Sequence, residues 1–331
     1  MKKLRLLCTS MLIAVLLLQH NVVFAAGTVL QETTLSDTPF AYHLRPGMDE
    51  WETVGPIARR EACYVSEEMA SNMTTRALVQ TVLEYPFLVD IYAFGTVENG
   101  IQVVAQRFPA MLELLSRSDA MNRLDLHWQV TMAVESERNT QQARYAPVLL
   151  NAISEANRNG SNDMVAPQAY EPTQRSVRTP NNSSVRVWQY LDWRDHSVDT
   201  DDIYERIGDF LATYPSAEEI SSHPADPSYN CHSYAWYSQS ANNPYWMDNP
   251  TPYMTDGSYF QVDWDGDVDA RVVYRQNGAL SHSAIVYEPG DTIYDTIVIG
   301  KWEYYSVFTH ELMDCPYYFG GSTIECWMIT V

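Results

Sequence analysis

The sequence has 331 residues, of which 46% are hydrophobic and 12% aromatic. This composition predicts a globular chain with a buried core and excludes an intrinsically disordered one. Acidic residues outnumber basic residues by 42 to 21, for a formal net charge of −21. A surface of that charge repels nucleic acid and anionic membranes, so we expect no nucleic-acid partner.

The first 25 residues have the three parts of a cleavable secretory signal peptide. Lys2, Lys3 and Arg5 form a positive start, residues 6–18 are an apolar run, and residues 23–25 supply a small-x-Ala cleavage pattern. Spanning a bilayer takes roughly 20 apolar residues, more than this run has, so we expect no membrane span. We predict a secreted mature chain with 18 basic and 42 acidic residues, a formal net charge of −24.

Residues 26–158 are predicted to form a helical domain. After an irregular start, Thr74 is expected to cap a helix whose apolar residues, such as Leu78 and Val82, share one face. The pair Asn99-Gly100 is expected to interrupt the helical pattern. Apolar or helical spacing is predicted in residues 88–94, 101–108, 109–115, 119–132 and 135–157.

The chain changes character after the helical domain. Residues 159–184 are rich in Gly, Ser, Asn and Pro and are predicted to be a linker, which leaves residues 185–331 as a second domain. Two helices are predicted there, over residues 201–213 and 231–240. Strands are predicted over residues 185–190, 259–262, 270–274, 282–287, 295–299 and 326–331. A helix followed by several antiparallel strands favours the α+β class.

One segment of the second domain points to chemistry. Residues 229–236 read Tyr-Asn-Cys-His-Ser-Tyr-Ala-Trp, with Ser228 and Asn230 as candidate caps for a helix that Cys231 begins. A thiol at a helix N-terminus lies beside unpaired N–H groups, which favour the thiolate, lower its pKa and can bind an oxyanion. Cys231 is therefore a candidate nucleophile. The adjacent His232 is expected to point away from it, because neighbouring helix positions diverge by about 100°.

Two later segments supply partners for this thiol. His282 begins an apolar strand 51 residues after Cys231 and is the candidate general base. The segment Gly-Lys-Trp-Glu at residues 300–303, followed by His310, can orient the imidazole of His282.

The order of a Cys that opens a helix, a His that begins a strand and a polar residue on the next strand resembles the papain-like superfamily of bacterial cell-wall hydrolases. That superfamily includes the NlpC-type endopeptidases and the CHAP amidases. Residues 230–236, 282–286 and 300–302 look like the corresponding pieces of uncharacterised secreted proteins from Gram-positive bacteria, and residues 44–118 resemble their helical N-terminal part.

This resemblance has consequences for fold, activity and location. It implies a papain-like C-terminal domain and a cysteine hydrolase that cleaves an amide or peptide bond, with peptidoglycan or a peptide as substrate. It implies no cofactor, and an extracellular or cell-wall location in a bacterium.

The third catalytic position departs from the pattern of the family. NlpC-type enzymes have His, Asn or Gln there, whereas this chain has Lys301, whose ammonium cannot accept a hydrogen bond. We favour His310, with Glu303 as the alternative. Lys301, the only Lys after the predicted signal peptide, is a candidate contact for a substrate carboxylate, and Trp236 and Trp302 are further substrate-binding candidates.

Other interpretations stay open. Cys231 can be a buried small side chain or half of a disulfide, although Cys315 and Cys326 are the more favourable pair, since the sequence between them allows the chain to turn back. The chain can be an inactive extracellular binding or adhesion protein that keeps the fold, or a transglutaminase-like acyl transferase. Alternating Asp residues over 263–269 favour a solvated hairpin over a calcium loop, and no metal site is expected.

Overall fold

A computed structural model describes residues 35–159, 172–189, 200–263 and 267–330. The predicted signal peptide lies outside these residues. The described chain is a mixed structure of helices and antiparallel sheet, which agrees with the predicted α+β class. Its helices are α1 (Asp49–Thr53), α2 (Pro56–Ala62), α3 (Glu67–Ser71), α4 (Thr75–Leu83), α5 (Val97–Arg107), α6 (Pro109–Ser116), α7 (Ala120–Ala133), α8 (Gln141–Asn159), α9 (Thr200–Thr213), α10 (Cys231–Trp236) and α11 (Thr251–Thr255), with 3-10 turns at Leu88–Tyr92 and Glu135–Glu137.

The cap of α4 is confirmed, because the Thr74 side chain accepts a hydrogen bond from Ala77 N over 3.2 Å. The predicted interruption at Asn99-Gly100 is wrong, since both residues lie inside α5. Thr96 caps that helix, and a Cβ added at Gly100 would lie 1.7 Å from the carbonyl oxygen of Ile91. Gly100 is therefore required by close packing of α5 on the preceding 3-10 turn.

The strands form two sheets. They are β1 (Thr173–Arg178), β2 (Ser184–Gln189), β3 (Glu218–Glu219), β4 (Tyr259–Val262), β5 (Arg271–Gln276), β6 (Ala279–Glu288), β7 (Ile297–Lys301), β8 (Val307–Glu311) and β9 (Ser322–Ile329). Seven of them make an antiparallel sheet of order β3-β8-β7-β6-β5-β9-β4, while β1 and β2 make a separate hairpin. Strand β1 lies within the stretch predicted to be a linker, and β3 and β8 were not predicted.

The helical half and the sheet share one hydrophobic core. Phe87 of the helical half and Trp302 of the sheet half belong to the same cluster of buried residues, and Tyr214 contacts both rings, with centroids at 6.0 and 5.5 Å. The indole of Trp51 also donates to Thr213 O over 3.1 Å. The chain from Leu35 onward accordingly forms one compact unit.

A buried ionic cluster crosses the same junction. Asp90 is fully buried and forms ion pairs with Arg107 and, at 3.6 Å, with Arg60. It also accepts a hydrogen bond from the Tyr214 hydroxyl. A buried carboxylate is stable only when it is paired and hydrogen-bonded, so Asp90 joins these parts of the chain firmly.

Among the described residues, no helix has the length and apolar character that crossing a membrane requires.

Candidate active site around Cys231

Cys231 begins α10, as predicted, and Asn230 is the cap. Asn230 Oδ1 accepts hydrogen bonds from Ser233 N at 3.1 Å and from Met247 N at 3.2 Å, and its Nδ2 donates to Met247 O at 2.9 Å. These three bonds attach the start of the helix to the following loop and thereby hold Cys231 in a fixed position. The helix ends at Trp236, several residues before the predicted end.

The thiol of Cys231 is closed off from solvent, at 1% exposure. Burial raises its pKa above the ordinary value, and the carboxylate of Glu303 raises it further. The backbone N–H groups of Ser283, His232 and Cys231 itself lower the pKa, but they do not compensate. The predicted depression of this pKa is therefore not present in the closed structure.

Helix α10 packs on β6 through Ser283. The indole N–H of Trp236 donates to Ser283 Oγ over 3.0 Å, and the same oxygen lies 2.9 Å from His232 Nδ1. Because the indole can only donate, Ser283 Oγ accepts from it and its own proton is available to His232 Nδ1. Burial lowers the pKa of His232 to about 3, so this imidazole is neutral, and its Nδ1 has a hydrogen-bond partner in Ser283 Oγ.

His282, the predicted base, points to the opposite face of β6 from Ser283, since successive strand residues alternate. Its Nε2 lies over Gly300 of β7, where a Cβ would approach to 3.2 Å. Neither ring nitrogen has a hydrogen-bond partner, so His282 makes no hydrogen bond to the Cys231 thiol in this structure. The backbone N–H of Ser283, which hydrogen-bonds the Cys231 sulfur, nevertheless belongs to the residue directly after His282.

The ring of Tyr317 covers His282. The two rings are parallel within 3° and their centroids are 3.7 Å apart. Burial lowers the pKa of His282 well below its ordinary value, and the neighbouring His310 and His232 lower it further. Burial and the charges of Glu303 and Cys231 raise the pKa of Tyr317, which shows that its hydroxyl lies in the field of the same site.

His310, the favoured third residue, is buried on β8 opposite Val298 of β7. Its Nδ1 lies 2.8 Å from the Glu311 carbonyl oxygen, and its Nε2 has no partner. A carbonyl oxygen can only accept, so Nδ1 carries the proton and Nε2 keeps its lone pair. Burial lowers the pKa of His310 to about 4. In this tautomer Nε2 is a hydrogen-bond acceptor, as an orienting partner of His282 has to be.

Two groups of opposite type, the fully buried Lys301 and the partly buried Glu303, act electrostatically on each other near Cys231. Lys301 donates to the Tyr305 carbonyl oxygen and lies 4.6 Å from the ring centroid of Tyr229. Burial lowers the pKa of Lys301 to about 7, although the negative charges of Asp226 and Glu303 act to raise it. Burial raises the pKa of Glu303 to about 7, although the positive charge of Lys301 acts to lower it. Glu303 also has a left-handed backbone, with φ of 50°.

The predicted substrate-binding residues are all inside the protein. Trp236, Lys301 and Trp302 are at most 4% exposed, so none of them meets a surface that a substrate can reach in this structure. Sequence reasoning did not single out Ser283 or Tyr317. The aromatic run Tyr-Tyr-Phe at residues 317–319 was the available signal for Tyr317, but it follows no strand or helix period.

The cysteines differ from the predicted pairing. Cys63, Cys231 and Cys315 are free thiols, so the predicted pair of Cys315 with Cys326 does not form. Within the residues that the structure describes, no three or more His, Cys, Asp or Glu side chains gather where they could hold a metal ion. Asp265 of the predicted acidic hairpin lies outside those residues.

No protein-family model, no curated protein and no solved structure matches this chain.

Proposed function

We propose that this protein is a secreted cysteine hydrolase with a papain-like C-terminal half, which cleaves an amide or peptide bond with Cys231 as nucleophile and His282 as general base. The proposal rests on the position of Cys231 at the start of α10, beside the β6 backbone at Ser283, one residue from His282.

One observation carries the proposal more than any other: of the fifteen buried side-chain polar atoms without a hydrogen-bond partner among the described residues, six belong to side chains of this site. Buried polar groups in folded proteins are nearly always hydrogen-bonded, and exceptions require an explanation such as catalysis. Side-chain atoms with neither partner nor exposure include His282 Nδ1 and Nε2, His310 Nε2, Glu303 Oε2, Trp302 Nε1 and the Tyr317 hydroxyl oxygen. A core built for stability alone would use apolar side chains here, since each orphaned polar group costs about 1–3 kcal/mol.

The reaction follows from the groups present. His282 takes the thiol proton of Cys231, and the sulfur attacks the carbonyl carbon of the scissile bond. The protonated His282 gives that proton to the leaving amine as the C–N bond breaks, which leaves a thioester on Cys231. A water molecule, deprotonated by His282, then attacks the thioester carbon. The carboxylic acid departs, and the proton returns to the sulfur.

The third residue in this proposal is His310. Its Nε2 has no partner, and its side chain is on the His282 side of the sheet, because Val298 pairs both with His310 and with Val286, which is on the His282 side of β6. Glu303 remains the alternative, because its Oε2 is also without a partner and its left-handed backbone stores strain of the kind found at functional sites.

The substrate class rests on the motif similarity and on the predicted export of the chain. A secreted amidase meets extracellular polymers, and peptidoglycan is the amide-bonded polymer that the resemblance implies. Lys301, Trp236 and Trp302 would contact substrate only after the site opens, because all three are buried.

The test is digestion of purified peptidoglycan by the mature protein, with products analysed by mass spectrometry. Hydrolysis adds one water per bond cut, whereas a transglutaminase-like transfer would join fragments instead. We expect products from the wild type that vanish in Cys231→Ala and persist in Cys63→Ala, which removes another buried free thiol. The proposal fails if neither the wild type nor Tyr317→Ala, which lacks the covering ring, gives any Cys231-dependent product.

The closed state of the site favours a second candidate. A protein that keeps the fold but only binds extracellular material would have a buried thiol with a raised pKa, as Cys231 has. Such a protein would bind peptidoglycan in a sedimentation assay and bind it equally well as Cys231→Ala, with no change in fragment masses.

A further inference from the structure

The segment that covers the candidate site has an unusual set of attachments. Residues 312–319 connect β8 to β9, and their Tyr317 ring is stacked on His282. At the start of the segment, the Leu312 carbonyl accepts a hydrogen bond from the Tyr274 hydroxyl over 2.8 Å. Further bonds to the segment come from Thr296, Ser216 and Ser322 of the C-terminal half. Others come from the helical half of the chain, where Arg59 pairs with Asp314 over 2.9 Å.

Two arginines hold the backbone on the N-terminal side of Tyr317. Arg60 donates to the Cys315 carbonyl oxygen over 2.9 Å, and Arg107 donates to the Pro316 carbonyl oxygen over 3.0 Å. Arg107 also lies 4.1 Å from the ring centroid of Phe319, and Phe94 contacts the Tyr317 ring edge-on at 5.5 Å. Neither arginine belongs to the sheet, so part of the attachment of this segment comes from the helical half.

Both arginines are oriented by one buried carboxylate. Asp90 pairs with Arg60 and with Arg107 and is itself fully buried. Without that carboxylate, two largely buried guanidinium groups, 14% and 6% exposed, would lose their main counter-charge. The arrangement is a chain of contacts from Asp90 through two arginines to the two residues that precede Tyr317.

The contact between Tyr317 and His282 is poorly suited to stability alone. The Tyr317 hydroxyl has no partner, and neither has either nitrogen of His282, so the stacked pair buries three orphaned polar atoms. Tyr317 and His282 are both fully buried, so none of these polar atoms is exposed to solvent in the structure. Closure is thus held by the clamp and the ring stacking against this unfavourable desolvation.

We propose that residues 312–319 form an autoinhibitory plug over the Cys231 site, with Tyr317 as the blocking side chain and with Arg60, Arg107 and Asp90 as the clamp. This inference rests on the proposed function, since a plug regulates a site that acts. The helical half is then a regulatory element: any event that displaces it from residues 315–316 releases Tyr317 and exposes His282 and Cys231.

The test measures access rather than turnover. Iodoacetamide modification of Cys231 and diethylpyrocarbonate modification of His282 are followed by mass spectrometry in the full mature chain. We expect slow modification in the wild type and in Tyr317→Phe, which keeps the ring. We expect at least about tenfold faster modification in Tyr317→Ala and in Arg107→Gln, because the local opening becomes easier.

The buried thiol of Cys63 is the internal control for folding. A rate at Cys231 that rises while the rate at Cys63 stays constant supports the plug. Equal acceleration at both thiols, or no acceleration at Cys231 in folded Tyr317→Ala, overturns it. Should both variants unfold, hydrogen exchange on the wild type decides: a plug requires residues 312–319 to exchange before β7 and β8 open, and exchange only with global unfolding contradicts it.

The two proposals fail in different ways. If labelling shows opening but Tyr317→Ala has no Cys231-dependent activity on peptidoglycan, the plug stands as a device and the hydrolase proposal is wrong. If the wild type already cleaves peptidoglycan as fast as Tyr317→Ala, the hydrolase stands and the plug is wrong.

Discussion

The indole N–H of Trp236 donates to Ser283 Oγ over 3.0 Å, and this bond joins α10 to the central strand β6. His232 uses the same oxygen, at 2.9 Å from its Nδ1. One hydroxyl therefore satisfies two buried ring nitrogens on successive turns of the helix that carries Cys231.

Replacement of Ser283 by Ala should be costly for this reason. Two buried nitrogens lose their partner at once, so we expect Ser283→Ala to lower the free energy of unfolding by about 2–4 kcal/mol. Urea unfolding monitored by tryptophan fluorescence measures it. Ser281→Ala, on the same strand, removes one bond to the Tyr274 carbonyl oxygen and should cost only about 1 kcal/mol. Equal effects of the two variants would contradict the shared role of Ser283.

Two glycines in helices should respond to Ala in opposite directions. Gly100 is buried, and an added Cβ would overlap the Ile91 backbone, so Gly100→Ala should lower the free energy of unfolding by about 1–3 kcal/mol or more. Gly208 in α9 is exposed with nothing within 4 Å of an added Cβ. Gly208→Ala should raise the free energy of unfolding by about 0.5–1 kcal/mol, because Ala is the better helix former. Thermal or urea unfolding of both variants checks the sign.

Acid should destabilise the protein through its buried histidines. The pKa of His232 is about 3 in the folded chain and 6.5 ordinarily, so between these pH values the unfolded state binds a proton that the folded state does not. Stability therefore falls as the pH decreases through this window, by about 1.4 kcal/mol per pH unit for each such proton.

The contribution of His232 can be isolated. His232→Gln should reduce the slope of unfolding free energy against pH by about one proton between about pH 4 and 6. His310, with a pKa of about 4, contributes in the same direction and keeps part of the slope in the variant. Glu303, whose pKa is raised to about 7, acts with the opposite sign above its ordinary value. A slope that is unchanged in His232→Gln would show that this imidazole is accessible to protons in the folded state.

Asp90 should be the most sensitive carboxylate in the helical half. Asp90→Asn leaves Arg60 and Arg107 without their buried counter-charge, so we expect a loss of about 3–5 kcal/mol in the free energy of unfolding. Asp37→Asn breaks an exposed pair with Arg76 and should leave the urea midpoint unchanged. In folded Asp90→Asn molecules Cys231 should also be modified faster by iodoacetamide. An unchanged modification rate would show that the ionic cluster does not hold the plug.

The predictions that the structure confirms concern features set by neighbouring residues in the chain. Two helices begin where predicted because a side chain accepts a hydrogen bond from the backbone N–H three residues later. These side chains are Thr74 for α4 and Asn230 for α10, the helix that Cys231 begins. The strand over residues 259–262 follows from β-forming residue types alone, and its bounds are confirmed. These features need no partner from a distant part of the chain.

Non-local packing decided the features that the sequence analysis missed. Asn99-Gly100 has the composition of a turn but lies in a helix, because the Ile91 backbone occupies the space of a side chain. Strand β8 has no clear alternation, because its residues Val307, Phe308 and His310 are buried on both faces of a central sheet. Residues 173–178 are polar except for the buried Val177, and they form a strand by pairing with β2.

The candidate site shows the same division. Residue type and order selected Cys231, His282 and His310 as chemical candidates, since nucleophile, base and orienting group are properties of side chains. Only the tertiary structure decided that the Cys231 thiol is buried with a raised pKa, that His282 and Ser283 face opposite sides of β6, and that Tyr317 covers the imidazole. Burial and contact depend on chain segments more than 200 residues apart, such as Arg107 and Pro316, and no local pattern encodes them.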